Sequence, residues 1–383
     1  MPRHPQLSPT LDQVGGSVYG ALAHKLSLFE GETYPFHVGD TWMEPAEAAR
    51  LETLNVRSHP GMHRYTSVQG HPVLLDAIVS RQSALMDMPV TREQVLVTAG
   101  ATGGLAVVVG AVVRPRDEVL ILAPFWPLIA GTVHAFHGKA VPVPFFGEVD
   151  SAEAAVAAVA AQCTERTVAL YVNTPHNPTG RIIPAAWLQA LVSWARQQGL
   201  WLFADEVYEH YSYTTPHTYV RPLAPERTFS VHSFSKAFGM SGNRCGYVIG
   251  PEAAMAGVRK VGVHTYYSVP TASQIVGARA LQGHADVWLA HAKQRYQEVG
   301  IAAADRLGLQ HPEGGTFLFV DVVDRLDERG LVGFLEDAVS RGLLVAPGPS
   351  FGPYPSHIRF CFTATEPART MRGVEVLADL LGR

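Results

Sequence analysis

Residues 228–246 read TFSVHSFSKAFGMSGNRCG, and the side chain on which their meaning turns is Lys236. A β-rich run, Thr228 to His232, leads into Ser233-Phe234-Ser235-Lys236. Gly239, Gly242 and Gly246 follow, and Arg244 stands eight residues past the lysine. Small residues let backbone N–H groups approach a phosphate, hydroxyls donate to it, and a guanidinium grips it with two prongs. The lysine is then left as a nucleophilic amine, able to form a Schiff base with an aldehyde. A surface loop can share this composition, so the surroundings decide.

Working outward, apolar β runs occur at Val95–Thr98, Val119–Leu122, Ala140–Val143, Val168–Val172, Leu200–Ala204, Thr228–His232 and Tyr247–Ile249. Helical segments lie between several of them, at Gly104–Val113, Pro127–His137, Ala152–Gln162 and Pro184–Gln198. This alternation predicts an α/β domain with a mostly parallel central sheet. Val119–Leu122 and Val168–Val172 are apolar on both faces, as strands covered by helices on each side must be. From residue 286 the texture changes. A helix Asp286–Leu307 precedes a strand Thr316–Val322, a helix Leu331–Arg341, β runs at Leu343–Ala346 and His357–Phe362, and a helix Glu366–Leu381. Near the start, Phe36-His37-Val38-Gly39-Asp40 predicts a short strand and a turn. The expected organisation is a segment 1–45 packing with the small domain, a large domain 46–285, and a smaller α+β domain 286–383.

A chain of 383 residues exceeds one ordinary core, which agrees with two domains. Its 47% hydrophobic and 17% charged content excludes disordered and fibrous classes. A net charge of −4 gives no basic footprint, so nucleic acid is not an expected partner. Cys163, Cys245 and Cys361 are far apart and odd in number, without a CxxC pair. Neither a disulfide framework nor a zinc site is indicated, and a reducing compartment fits. There is no HExxH motif, and a metal is not expected. The N-terminus lacks a signal-peptide core, and the longest apolar stretch, Leu105 to Val113, is too short for a membrane span. A soluble cytoplasmic protein is expected.

Several candidate residues stand at the carboxyl ends of predicted strands, where open α/β sheets bind ligands. Asp205 ends Leu200–Ala204 and is followed by Tyr208. A buried carboxylate there needs a cationic or N–H partner, and a pyridinium nitrogen would serve. A plain helix N-cap is the competing reading. Asn173-Thr174-Pro175-His176-Asn177-Pro178-Thr179-Gly180 forms a rigid loop after Val168–Val172. Thr98 to Gly104, with Ala101 and Thr102, offers helix N-terminal N–H groups to an anion. It is neither a P-loop nor a dinucleotide fingerprint. Trp126, between Phe125 and Pro127, can stack on a flat heterocycle.

Taken together, the chain resembles the class I/II aminotransferases, pyridoxal-phosphate enzymes of fold type I. The resemblance rests on Asn-Pro-Thr-Gly at 177–180, Asp205-x-x-Tyr208, Ser233-x-Ser235-Lys236 and Arg244. It implies pyridoxal 5'-phosphate held by Lys236, with Asp205 on the pyridine nitrogen and Tyr208 and Asn177 donating to its O3′. It further implies Trp126 stacked on the ring, and Ala101, Thr102, Ser233, Ser235 and Arg244 around the phosphate. Arg359 would clamp the substrate carboxylate, and Gly39 would lie in the segment covering the substrate. A homodimer is implied, with Tyr65 reaching the neighbouring active site. The activity implied is ping-pong transfer of an amino group from an L-amino acid to a 2-oxo acid. A C–S β-lyase and a cofactor-binding regulator domain share the fold and stay open as alternatives. Dicarboxylate-specific relatives place a cation where this chain has Thr102 or His264, which argues against aspartate as donor. Tyr266 and Tyr267 hint at a wider, aromatic-tolerant pocket, or at interface packing.

Overall fold

In the computed structural model, residue 4, residues 6–14 and residues 20–383 are described. What was expected of residues 1–3, 5 and 15–19 in the N-terminal segment lies outside the described residues. Twelve strands follow in chain order among the described residues: β1 (Tyr34–Pro35), β2 (Val95–Thr98), β3 (Glu118–Ala123), β4 (Lys139–Pro144), β5 (Thr167–Asn173), β6 (Trp201–Asp205), β7 (Thr228–Ser233), β8 (Gly246–Ile249), β9 (Phe317–Asp321), β10 (Leu343–Leu344), β11 (Ala346–Pro347) and β12 (His357–Cys361).

Seven of these strands form one sheet in the order β2-β8-β7-β6-β5-β3-β4. Only β8 runs against its neighbours, β2 and β7. The other pairs are parallel. Side chains alternate across the sheet, so each strand feeds two cores. Val119, Ile121, Ala169, Phe203 and Val231 share one core with Leu105 and Ile129 from the helices Gly100–Val112 and Pro127–Ala135. Leu120, Leu122, Leu170, Leu202 and Ala204 share the other with Val159 and Leu188 from the helices Ala152–Gln162 and Ala185–Gln197. Ser151 caps the first of these through its hydroxyl, which accepts from Ala154 N at 3.0 Å. Because β2, β3, β5, β6 and β7 point the same way, Ala99, Pro124, Thr174, Glu206 and Phe234 all emerge at one rim.

Near the C-terminus, β9, β11 and β12 make an antiparallel sheet, ordered β11-β12-β9. The chain's beginning returns to this region. β1 pairs in parallel with β10, and Tyr34 and Phe36 share a buried cluster with Leu318, Ile358 and Phe360. The 22-residue helix Asp286–Leu307 contributes Ala303, Ala304 and Leu307 to that cluster and Tyr296 to the core of the large sheet.

Four expectations need correction. The short strand expected within Phe36–Asp40, ahead of its turn, lies at Tyr34–Pro35 instead, and residues 36–38 turn. Phe36 O accepts from Cys361 N at 3.0 Å, which ties this segment to the end of β12. The helix expected from Gly104 begins at Gly100, so Ala101 and Thr102 are its first-turn residues. The single β run at Leu343–Ala346 divides, since β10 pairs with β1 while β11 pairs with β12. Finally, the helix expected over Pro127–His137 ends at Ala135, and His137 has φ +65°. The helices Pro72–Met86, Glu252–Thr265 and Thr271–Arg279 were not expected from the pattern.

Candidate active site

At the rim, Lys236 lies in a four-residue helix, Phe234–Ala237, that starts where β7 ends. Ser233 caps this helix by accepting from Ser235 N at 3.1 Å, and its hydroxyl donates to Ser235 Oγ at 2.9 Å. The lysine side chain is 16% exposed. Its Nζ donates to Gly39 O and stands 3.9 Å from Asp40 Oδ1. Burial lowers the amine's pKa from its ordinary value, against the opposing pull of Asp40. A lysine so placed holds more of its population as the neutral nucleophile.

Behind it, Arg244 folds back in the left-handed region, at φ +49°. Its Nη1 donates to Ser241 O at 2.8 Å and to Ser235 Oγ at 3.5 Å, and its Nη2 to Ala99 O at 3.4 Å. Arg244 therefore spans the gap between the Ser235 turn and the start of the helix Gly100–Val112. That helix begins with no side-chain cap, which leaves first-turn N–H groups for a ligand. Gly100 makes the close approach possible: at φ +69°, a Cβ there would lie 2.6 Å from Arg244 Nη2. Ala101 is buried and Thr102 half-buried at the same turn. Trp126, half-buried, packs against the cluster that contains Ala101.

On the next two strands, Asp205 ends β6 and is only 5% exposed. Its Oδ2 accepts from Tyr171 OH at 2.6 Å, and its Oδ1 accepts from Val207 N at 3.4 Å. Burial raises its pKa to about 6, with Tyr171 pulling the other way. Asn173 Nδ2 donates to Asp205 O at 2.9 Å, and Asn173 Oδ1 accepts from Asn177 N at 2.8 Å. The Asn177 loop is thus tied to the Asp205 strand end. His176 stacks on Phe146 with centroids 3.6 Å apart and sits 2.7 Å from Thr179 Oγ1. Tyr208 is buried, with its ring edge-to-face to Phe317.

Across the site, β12 presents Arg359, also 5% exposed. Its Nη1 donates to Asn177 Oδ1 at 3.0 Å and its Nη2 to His37 O at 2.6 Å. The guanidinium is flanked by the Phe317 and Phe351 rings, 4.3 and 4.8 Å from their centroids. His37 is held well toward the neutral form, its pKa lowered to about 4 by burial and then by Arg359. Gly39 is close-packed: a Cβ there would lie 2.6 Å from the Phe317 ring.

The fold therefore brings Lys236, Asp205, Tyr208, Asn177, Arg359 and Gly39 to one place, with Ser233, Ser235, Arg244, Ala101 and Thr102 at its margin. Tyr65 is set apart from them. It is 85% exposed, and its ring meets Tyr267 edge-to-face at 5.0 Å. Tyr266 is packed among core residues, with its OH toward Val97 O at 3.5 Å. Five contributors escaped the sequence reading: Tyr171, Phe317, Phe351, His37 and Asp40. Tyr171 looked like any apolar-strand residue, and only the β5–β6 register, Asn173 opposite Asp205, reveals its reach.

This site fits pyridoxal phosphate. It has a poorly solvated lysine amine, a buried carboxylate with capacity left on Oδ1, and a guanidinium, hydroxyls and uncapped N–H groups arranged as an anion cradle. Fold and site together define a fold type I pyridoxal-phosphate enzyme. The family described as aminotransferase class I and II matches residues 31–377. A probable aspartate/prephenate aminotransferase of Thermus aquaticus is 31% identical, covering 80% of this chain and 81% of that protein. An arginine–pyruvate transaminase of Pseudomonas aeruginosa is 32% identical, with 84% of each chain covered. A mutant structure of Thermus thermophilus aspartate aminotransferase superposes with a TM-score of 0.89 at 26% identity, covering 98% of this chain and all of that one. The chain belongs to the class I and II aminotransferase family, and is a pyridoxal-phosphate-dependent aminotransferase.

Proposed function

We propose that the amino group passes from an L-amino acid whose side chain carries no negative charge to a 2-oxo acid, in the site between Lys236 and Arg359. One observation carries this reading. Lys236 Nζ donates to Gly39 O and Arg359 Nη2 donates to His37 O. The carbonyls that accept these bonds are two residues apart, at most about 7 Å along the chain, which supports an amine-handling group and a carboxylate-binding group serving one substrate. Bound pyridoxal phosphate supplies an electron sink that weakens the substrate Cα–H bond. Lys236 holds the cofactor and then moves the Cα proton as its neutral amine. Asp205 would keep the pyridine nitrogen protonated, while Tyr208 and Asn177 would donate to O3′. Trp126 would stack on the ring, and Ala101, Thr102, Ser233, Ser235 and Arg244 would hold the phosphate. Arg359 orients the substrate carboxylate, and the segment at Gly39 covers it.

The choice of donor rests on what is absent from two positions. Thr102 carries no charge. His264 is exposed, with Nδ1 2.8 Å from Lys260 O in its own helix. Initial rates with a panel of donors and one oxo acid should give parallel double-reciprocal lines and a preference for uncharged side chains. Aspartate giving the highest kcat/KM would overturn that preference. Arg359→Leu should lower kcat/KM about 10²–10³-fold, since two charge-assisted hydrogen bonds are lost. The loss should disappear for an amine donor that lacks a carboxylate.

The division into a segment 1–45, a large domain 46–285 and a small domain 286–383 is part of the same reading. Pairing of β1 with β10 supports it. So is a homodimer, in which the exposed Tyr65 reaches the partner's site. A cytoplasmic location belongs to the same reading; no helix among the described residues is long and apolar enough to cross a membrane.

A further inference from the structure

We propose that Tyr171 is the positioning residue for Asp205: its hydroxyl fixes the carboxylate through Oδ2 and keeps it anionic, leaving Oδ1 for the cofactor's ring nitrogen. The inference rests on the site assignment above and adds a residue to it. Three features support it. The O···O distance is 2.6 Å, in the range of hydroxyl bonds to a charged carboxylate. Both groups are nearly sealed from water, Tyr171 at 2% exposure and Asp205 at 5%, so the bond is not diluted by solvent. Tyr171 and Phe203 are paired across β5 and β6, which carries the phenol past Phe203 to the end of the neighbouring strand.

The second oxygen is held differently. Oδ1 accepts only from Val207 N, at 3.4 Å, among the described residues. A carboxylate has room for more donors than that, so a further N–H can be accepted on Oδ1 without displacing Tyr171. The phenol keeps its proton, because burial and then Asp205 raise its pKa well above the ordinary value. It can therefore act as donor across the working range of pH. Other groups act on Asp205 as well. Glu206 raises its pKa and His232 lowers it, and Tyr208 lies close enough to feel its charge. These stay in place when Tyr171 is changed.

Tyr171→Phe keeps the ring and removes the hydroxyl. Equilibrium binding of pyridoxal phosphate to the full-length protein, followed by its absorbance, should be measured from pH 5 to pH 9 for wild type and variant. The ratio of the two dissociation constants should be near one at the alkaline end. It should rise to about 10–100 at the acidic end, because losing a hydrogen bond to a charged group lifts the carboxyl pKa by about one to two units. Effects of Lys236 and of the phosphate on binding are common to both proteins and cancel in the ratio. A ratio constant with pH would show a purely structural role and overturn the inference. Failure of the wild type to bind pyridoxal phosphate would overturn the site assignment, and the inference with it. Should the variant not fold, wild-type protein labelled with ¹³C at the tyrosine Cζ provides the same test. The Tyr171 resonance should move as Asp205 titrates and stand still in Asp205→Asn; a resonance that is static in wild type, or moves equally in both, would overturn the proposal.

Discussion

Lys236→Ala protein should fold, lose the visible absorbance of covalently held cofactor, and turn over at least about 10⁴-fold more slowly, the upper end of what one positioned base contributes. The physical argument is local. Of the five lysines in the chain, the exposed Lys25 and Lys139 are engaged by Glu336 and by the buried Glu118. Lys260 lies in the helix Glu252–Thr265 and Lys293 in Asp286–Leu307. Only Lys236 stands at the rim of the parallel strands, so no other lysine amine can take over. Its removal takes away both the covalent anchor and the group that moves the Cα proton. Fold stability should change little, because the amine's partners are a backbone carbonyl and a half-exposed carboxylate. The Arg244–Ser235 cradle stays intact, so the variant should still retain phosphate-bearing cofactor reversibly. A variant that kept its visible band and a tenth of its turnover would refute the role given to Lys236.

That residue was legible because chemistry of this kind writes itself into short runs. Serines, glycines and an arginine at fixed offsets lie within 228–246, and the loop 173–180 and the pair Asp205–Tyr208 are equally local. The parallel sheet was legible for a similar reason, since strands buried on both faces read as apolar runs. What stayed hidden depends on distant parts of the chain meeting. The Arg359 contacts with Asn177 and with His37 join residues 182 and 322 positions apart. The turn at 36–38 follows from Cys361 N reaching Phe36 O, which no local pattern encodes. The helix Pro72–Met86 carries a buried glutamine, Gln82, whose partners Glu209 and Tyr247 are far along the chain. A polar residue on an apolar face reads as an interruption until its partners are known. That glutamine belongs to a buried polar network, and the network yields the largest effect expected on stability.

Replacing Glu209 by Gln should destabilise the fold by about 3–5 kcal/mol, the usual cost of breaking a buried ion pair from one side. The loss should be concentrated near pH 6. His232 Nδ1 is 2.9 Å from Glu209 Oε1, and His232 Nε2 is 3.6 Å from Glu206 Oε2. The imidazole stacks on Tyr247 with centroids 4.8 Å apart, and Gln82 bridges Glu209 to the Tyr247 hydroxyl. Burial alone would lower the pKa of His232, but Glu209 and Glu206 outweigh it and the net shift is upward. Burial would likewise raise the pKa of Glu209, yet His232 and His210 outweigh it and the net shift is downward. A histidine with a raised folded pKa adds stability that is complete below the unfolded value, about 6.5. That stability fades as pH climbs through the folded value. A glutamate with a lowered folded pKa adds stability above its unfolded value, about 4.3, and loses it as pH falls through the folded one. The pair therefore holds the fold best between roughly pH 4.5 and 6.5. His210 acts against it on the acid side, since its own pKa is lowered by burial. The urea midpoint of Glu209→Gln should fall well below that of wild type at pH 6 and much less so at pH 8.5, because wild type loses stability over that interval and the variant loses much less. If both proteins showed the same slope between those pH values, the His232–Glu209 charge pair would not be what holds this part of the core.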